Sequence, residues 1–263
     1  MAALTAPSLY LERVDPETLA RLGQAGVLQG TNALAPSSAA AVIGLDWPEL
    51  EGVLPDRGFP RGVTEIASPV TRHGGMRGGA STIALSAVRA VQQHGKGAWC
   101  AWITEANAPP LYAPAVAQAG VDLERLLVVR PSSADLARTV VKVGAAGAFD
   151  LVVVDAPAGL DGKLSIASDG PSGSSGSSGS YGARSRAKRT RVDGSVVIRK
   201  LALAAEEKGT TFVVLTNLYT SRATPWPVAL RIEVERRPEA IAIRVTKDRR
   251  GRASSQHVVR VAC

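Results

Sequence analysis

Apolar residues along this chain change their period several times, and the changes mark out its elements. Between residues 80 and 94 they recur at Ile83, Ala84, Ala87, Val88 and Val91, the spacing that gives a helix one apolar face, with Gly95 as the stop. Residues 63–67, 98–103, 126–129, 151–154 and 211–216 are instead short, continuous runs rich in β-branched and aliphatic residues. Helical patterns over 110–119, 134–143 and 195–208 alternate with them. Strands that are apolar throughout are covered on both faces, so the alternation predicts an α/β fold with a mostly parallel sheet. The last third changes character. Residues 229–235, 240–246 and 256–261 read as three consecutive strands, expected to be antiparallel at one end of the sheet. Near the start, Asp15-Pro16 opens a short helix that ends near Gly26, and residues 27–60 are loop-rich. The division is therefore an N-terminal extension, 1–40, and a core, 41–263.

One segment has no pattern at all. Residues 168–180 are almost entirely Ser and Gly, a composition that cannot bury apolar surface, so a flexible loop is expected over about 165–191. A basic run closes it: Arg184, Arg186, Lys188, Arg189 and Arg191, with Tyr181 as its one aromatic. The net charge of +8 is as uneven as the pattern: residues 1–160 carry 12 basic and 14 acidic side chains, and the remainder 19 and 9. The late excess would attract a polyanion, single-stranded DNA among them, or serve only to keep the surface solvated. No apolar run approaches the roughly 20 residues that a membrane helix needs. Residues 1–10 lack the basic flank of a secretory signal, and two cysteines cannot build a metal framework. A cytoplasmic, nucleoid-associated protein is the expectation.

The strand at 63–67, a glycine-rich loop over 68–79 and the helix from residue 80 have the layout of a phosphate-binding loop. Such a loop needs glycines for close backbone approach, a lysine for the terminal phosphates and a hydroxyl for magnesium. Here stand Gly74, Gly75, Gly78 and Gly79, then Ala80, Ser81 and Thr82. Alanine holds the lysine position.

The surrounding residues resemble those of the RecA recombinases: Gly58-Phe-Pro-Arg-Gly-Val-Thr-Glu-Ile66 before the loop, Gly79-Ala-Ser-Thr-Ile-Ala-Leu85 after it, then Ile103-Thr-Glu-Ala106 and Phe149-Asp-Leu-Val-Val-Val-Asp155 in order. The resemblance, from about residue 41 to 217, implies a RecA-like P-loop NTPase core with helices on both sheet faces and antiparallel terminal strands. It matches Asp155 to the family's Walker B aspartate, Glu105 to its water-activating glutamate, and Asn217 to an asparagine whose neighbour, a glutamine in the family, is Leu218 here. Lys247 and Arg249 resemble a lysine pair that reaches a neighbour's nucleotide. Without the loop lysine, Glu105 and Asp155 read as remnants, no cofactor is expected, and ATP with magnesium should bind weakly at best.

Segments such as Leu127-Val-Val-Arg-Pro131 further resemble the ImuA family, RecA-like members of a damage-inducible mutagenesis cassette. That resemblance implies a non-catalytic adaptor in SOS-induced translesion synthesis, with ImuB, RecA and an error-prone DnaE-type polymerase as partners. The alternative is an ATP-dependent recombinase-like motor or switch, with Arg72 or Arg77 in the lysine's role. In RecA an N-terminal segment of one subunit docks on a strand and helix of the next. The matching residues here are Leu126, Val128, Leu136, Ala137 and Val140, with Ala137 expected to leave room for a side chain from outside.

Overall fold

The computed structural model describes residues 42–69, 79–157, 159–160, 162–164, 190–219 and 226–261. The chain divides into two units, residues 1–39 and 40–263, and every described residue lies in the second. The helix expected near residue 15, most of the glycine loop and most of the basic run lie outside the described residues.

In chain order the strands are β1 (Val42–Ile43), β2 (Phe59–Pro60), β3 (Val63–Ser68), β4 (Cys100–Thr104), β5 (Leu126–Val129), β6 (Leu151–Asp155), β7 (Gly162–Leu164), β8 (Thr190–Val192), β9 (Thr211–Asn217), β10 (Leu230–Arg237), β11 (Ala240–Asp248) and β12 (His257–Arg260). The helices are α1 (Pro48–Glu51), α2 (Ala80–His94), α3 (Ala113–Gln118), α4 (Leu136–Ala146) and α5 (Gly194–Lys208). Eight strands form one sheet in the order β12-β11-β10-β3-β9-β6-β4-β5. From β10 to β5 every neighbour is parallel. Only the β10–β11 and β11–β12 pairings are antiparallel, so the first of the three terminal strands extends the parallel sheet rather than beginning a separate meander.

The sheet is apolar on both faces because each face is covered. On one side α2 buries Ile83, Ala84, Ala87 and Val88 against Ile66, Trp102, Val153 and Leu215. On the other, α4 and α5 bury Leu136, Val140, Ile198 and Leu201 against Ile103, Val152, Val154 and Phe212. Each Val, Leu, Ile or Phe among them contributes about 1.5–3 kcal/mol by leaving water. Gly144 lets α4 approach closely: a Cβ there would stand 2.8 Å from Phe212 Cζ. Gln92 on α2 links that helix to the approach to β5, its side-chain amide exchanging two 2.9 Å hydrogen bonds with the backbone of Asp122. Cys100 is buried beneath α2, and burial pushes its thiol up to about 12, so it acts as a small hydrophobe.

Several expectations are corrected. The helix expected from residue 110 begins at Ala113, because Pro109 and Pro110 hold the preceding residues extended. The helix at 134–143 runs instead from Leu136 to Ala146 and stops at Gly147, whose φ is 62°. Residues 27–60 contain β1, α1 and β2, too short to show a period. The loop expected over 165–191 is narrower, because Thr190–Val192 pairs with Gly162–Leu164 as an antiparallel ribbon with Lys163 opposite Arg191. Ala137 faces inward and is only 2% exposed, which leaves no opening for a side chain from outside. Leu126, Leu136 and Val140 are likewise buried, and of the residues assigned to docking only Val128 is exposed.

A charged clamp ties the turn after β11 to the approach to β2. Arg252 donates to Asp248 Oδ2 (2.8 Å), Asp56 Oδ1 (2.9 Å) and the Pro55 carbonyl (3.0 Å), and Arg250 donates to Asp56 (3.2 Å). Hydrogen bonds from Arg252 hold the Asp248 carboxyl below the usual carboxylate range. A depressed folded-state pKa gives stability that is present above the unfolded value, about 4, and is lost as pH falls through the folded one. The melting midpoint is therefore expected to fall as pH drops below about 4. Arg252→Ala should flatten that acid limb, as thermal melts from pH 7 to pH 2 will show. An unchanged limb would mean that the clamp is not formed in solution.

Candidate functional site

Parallel strands expose their carboxyl ends along one rim of a sheet, and ligands of open α/β folds bind there. Four polar residues end their strands at that rim: Ser68 on β3, Asn217 on β9, Asp155 on β6 and Thr104 on β4. Register sets them side by side, Ser68 opposite Asn217 and Thr104 opposite Asp155. Side chains alternate along a strand, and the residues two positions earlier, Ile66, Leu215, Val153 and Trp102, all pack on the α2 side. The four polar groups therefore share the α2 side too. Ser68 and Thr104 are almost wholly buried, and among the described residues Ser68 Oγ, Thr104 Oγ1 and the Trp102 indole N–H have no hydrogen-bond partner. Buried polar groups left unpaired are uncommon and concentrate at functional or strained positions. The sequence reading passed over both hydroxyls, because a lone Ser or Thr at a strand end carries no spacing signal.

Glu105, directly after β4, is half-buried and accepts a 2.7 Å hydrogen bond from Ser133 Oγ. The loop that follows is braced by Arg130, which donates to the carbonyls of Ala106 and Ala108, and by the Ala106 N–H to Pro131 carbonyl bond. Asp155 is half-buried at the end of β6. Asn217 spends its side-chain oxygen on the Tyr219 N–H (3.1 Å), and the Leu218 N–H donates to the Ser68 carbonyl (2.9 Å).

Gly79 caps α2 in the left-handed region, at φ 94°, and a Cβ on it would lie 2.8 Å from Ile241 Cδ1, so both conformation and space require glycine. Ala80 follows with no exposed surface and joins the apolar cluster under α2. Ser81 and Thr82 are half-buried on the first turn. The position matched to the phosphate lysine thus points into the core. Among the described residues no cation stands at the helix start. Gly74, Gly75, Gly78, Arg72 and Arg77 lie outside the described residues. Lys247 is turned inward, its ammonium donating to the Trp226 carbonyl at 2.7 Å, while Arg249 is exposed. Arg184, Arg186, Lys188 and Arg189 lie outside the described residues, and Arg191 belongs to β8.

The two edges of the sheet differ. At β12 the Arg260 N–H is capped by the Glu49 carboxylate of α1 at 3.0 Å. At β5 no described residue pairs with the outer edge, and Leu127 and Val128 are 44% and 42% exposed on opposite faces of the strand. No group of His, Cys, Asp and Glu suited to a metal occurs among the described residues, and no described helix is long and apolar enough to cross a membrane.

With this geometry in place, comparison with known proteins gives one consistent answer. Residues 35–219 match the model of the RecA N-terminal domain. The chain is similar to the RecA proteins of Deinococcus radiodurans (36% identical over 115 residues, 43% of this chain and 29% of that protein) and Thermus aquaticus (37% over 115 residues, 43% and 31%). With that of Chlorobaculum parvum it shares 34% over 165 residues, 60% of this chain and 42% of that protein. The matched region spans less than half the length of each of these relatives.

Proposed function

The chain belongs to the RecA family, and from that membership we propose that it is a non-catalytic RecA-like adaptor of the ImuA kind, acting in SOS-induced translesion DNA synthesis. The observation that carries the reading is Ala80. A lysine charge on the transferring phosphate is among the main electrostatic terms of phosphoryl transfer. Here its position is a methyl group with no exposed surface. Glu105 and Asp155 then serve the architecture of the rim, Glu105 by holding Ser133. ImuB is the proposed principal partner, with RecA and a DnaE-type polymerase in the same assembly.

Single-stranded DNA is a proposed further ligand, held through phosphates by Arg184, Arg186, Lys188, Arg189 and Arg191. Contacts of that kind carry no sequence preference and weaken steeply with salt. The β5 edge, with which no described residue pairs, supports the protein-binding side of the reading, since unpaired backbone groups on an edge strand receive a segment from another chain.

The experiment is phosphate release from ATP with and without single-stranded DNA. The expected result is no turnover above background in the wild-type chain. Turnover that vanishes in Glu105→Gln or Asp155→Asn would overturn the adaptor reading in favour of an ATP-dependent recombinase-like switch.

A further inference from the structure

The terminal strands turn a charged face away from α2. Ile232 and Val234 of β10 and Ile241, Ile243 and Val245 of β11 pack on the α2 side, so Glu233, Glu235, Ala242 and Arg244 share the other. The apolar cluster beneath α4 and α5 includes no residue of β10, β11 or β12. A cavity of about 270 Å³ opens on this face, with Tyr219, Glu233, Glu235, Ala242, Arg244 and Gln256 among its walls.

The charges of this face pair off one by one until Glu235. Glu65 is buried and accepts a 2.7 Å hydrogen bond from Thr216 Oγ1. Arg231 lies 3.7 Å from the Glu65 carboxylate and 3.7 Å from that of Glu233, and Glu233 accepts from Arg244 at 2.5 Å. Glu65, Arg231, Glu233 and Arg244 thus form a row of alternating sign that is neutral by itself. Glu235 stands two residues further along β10, exposed and without an ion-pair partner among the described residues. Ala242 faces it across the ladder and is 1% exposed, so a small side chain gives the cavity its depth there. Tyr219 is 74% exposed although its backbone is held, its N–H by Asn217 Oδ1 and the preceding N–H by the Ser68 carbonyl. An aromatic ring on a fixed backbone and an unneutralised carboxylate therefore line one cavity.

The sign of that charge is unusual for its place. Residues 161–263 carry 19 basic and 9 acidic side chains, yet the walls of this cavity hold two carboxylates and one guanidinium. Such a site repels a phosphate backbone and attracts a cation.

We propose that the cavity receives an arginine side chain from a partner protein. The guanidinium stacks on the Tyr219 ring, pairs with Glu235 and keeps donors for the Gln256 amide oxygen. Lysine is a point charge with no flat face and fits less well. The inference rests on the adaptor reading, to which it adds the chemistry of one contact made by the partner.

The test titrates the full, isotope-labelled chain with the peptide acetyl-Gly-Arg-Gly-amide and follows backbone amide resonances. A control peptide carries citrulline, which keeps the shape of arginine and lacks its charge. The arginine peptide is expected to shift the Tyr219, Glu235 and Ala242 amides saturably, and the citrulline peptide to leave them in place. Both Tyr219 and Glu235 are exposed, so their variants should fold, as circular dichroism checks. Tyr219→Ala and Glu235→Gln should each weaken binding about threefold or more, and the double variant should abolish it. Tyr219→Phe should stay within about twofold, and Glu207→Gln, exposed on α5, should be silent. No saturable shift, a shift that survives the double variant, or an equal response to citrulline overturns the site. Shifts of the same amides by oligothymidylate would make the cavity a nucleic-acid site and overturn the proposal equally. Each of these results leaves the adaptor reading standing, which phosphate release decides by itself.

Discussion

Ala80→Lys will damage the fold and return no phosphate release. Restoring the missing lysine is the obvious attempt to revive a nucleotide site, and the surroundings of Ala80 say why it fails. The side chain has no exposed surface and belongs to the apolar cluster under α2, next to Gly79, whose own Cβ would meet Ile241. An ammonium forced into that cluster loses its hydration without gaining a partner, a penalty of several kcal/mol per ion even after relaxation. Total stability of a domain is about 5–15 kcal/mol, so a fall in melting temperature of about 10 °C or more is expected. Calorimetry and a phosphate-release assay on the same sample check both halves. A variant that melts like wild type and turns over ATP would show that residue 80 opens toward the rim.

Ala137→Glu is expected to unfold α4 from the sheet, whatever it does to partner binding. Its Cβ lies in the core with Leu136, Val140, Val152 and Val154, at 2% exposure. A carboxylate there is buried without a compensating donor, so a loss of about 3 kcal/mol or more follows from the mechanism that makes unpaired buried charges the most damaging substitutions. Denaturant unfolding gives the number. Ala137→Glu with wild-type stability would require α4 to be rotated away from the orientation described here.

These two alanines show where the sequence is legible and where it is not. Ile83, Ala84, Ala87 and Val88 announce α2 by their spacing, and the helix runs from Ala80 to His94 as that spacing predicts. The β-branched runs of β3, β6 and β9 announce a sheet covered on both faces in the same way. Ala137 announces nothing, because one methyl group fits equally well against a core or beneath an incoming side chain. The burial of Leu136 and Val140 and the position of Gly144 against Phe212 and Leu201 fix how α4 is turned. The rim is legible in part. Asp155 and Glu105 are where the family pattern sets them, whereas the buried hydroxyls of Ser68 and Thr104 depend on register between strands distant in sequence. The meeting of Tyr219 with Glu235 is hidden for the same reason: β9 and β10 are brought together only by β3 between them.

The β7–β8 ribbon has a consequence for how this protein tolerates change. Leu164 pairs with Thr190, so the described chain on either side of residues 165–189 stands side by side. The entropy of closing such a segment grows only logarithmically, about 0.6 kcal/mol for each doubling of length. Whatever length or composition lies between Leu164 and Thr190, the sheet meets the same two short strands. The ribbon works as a hem: sequence beyond it can be lengthened, shortened or exchanged for an affinity tag or a fluorescent reporter, while β6 and α5 keep their positions.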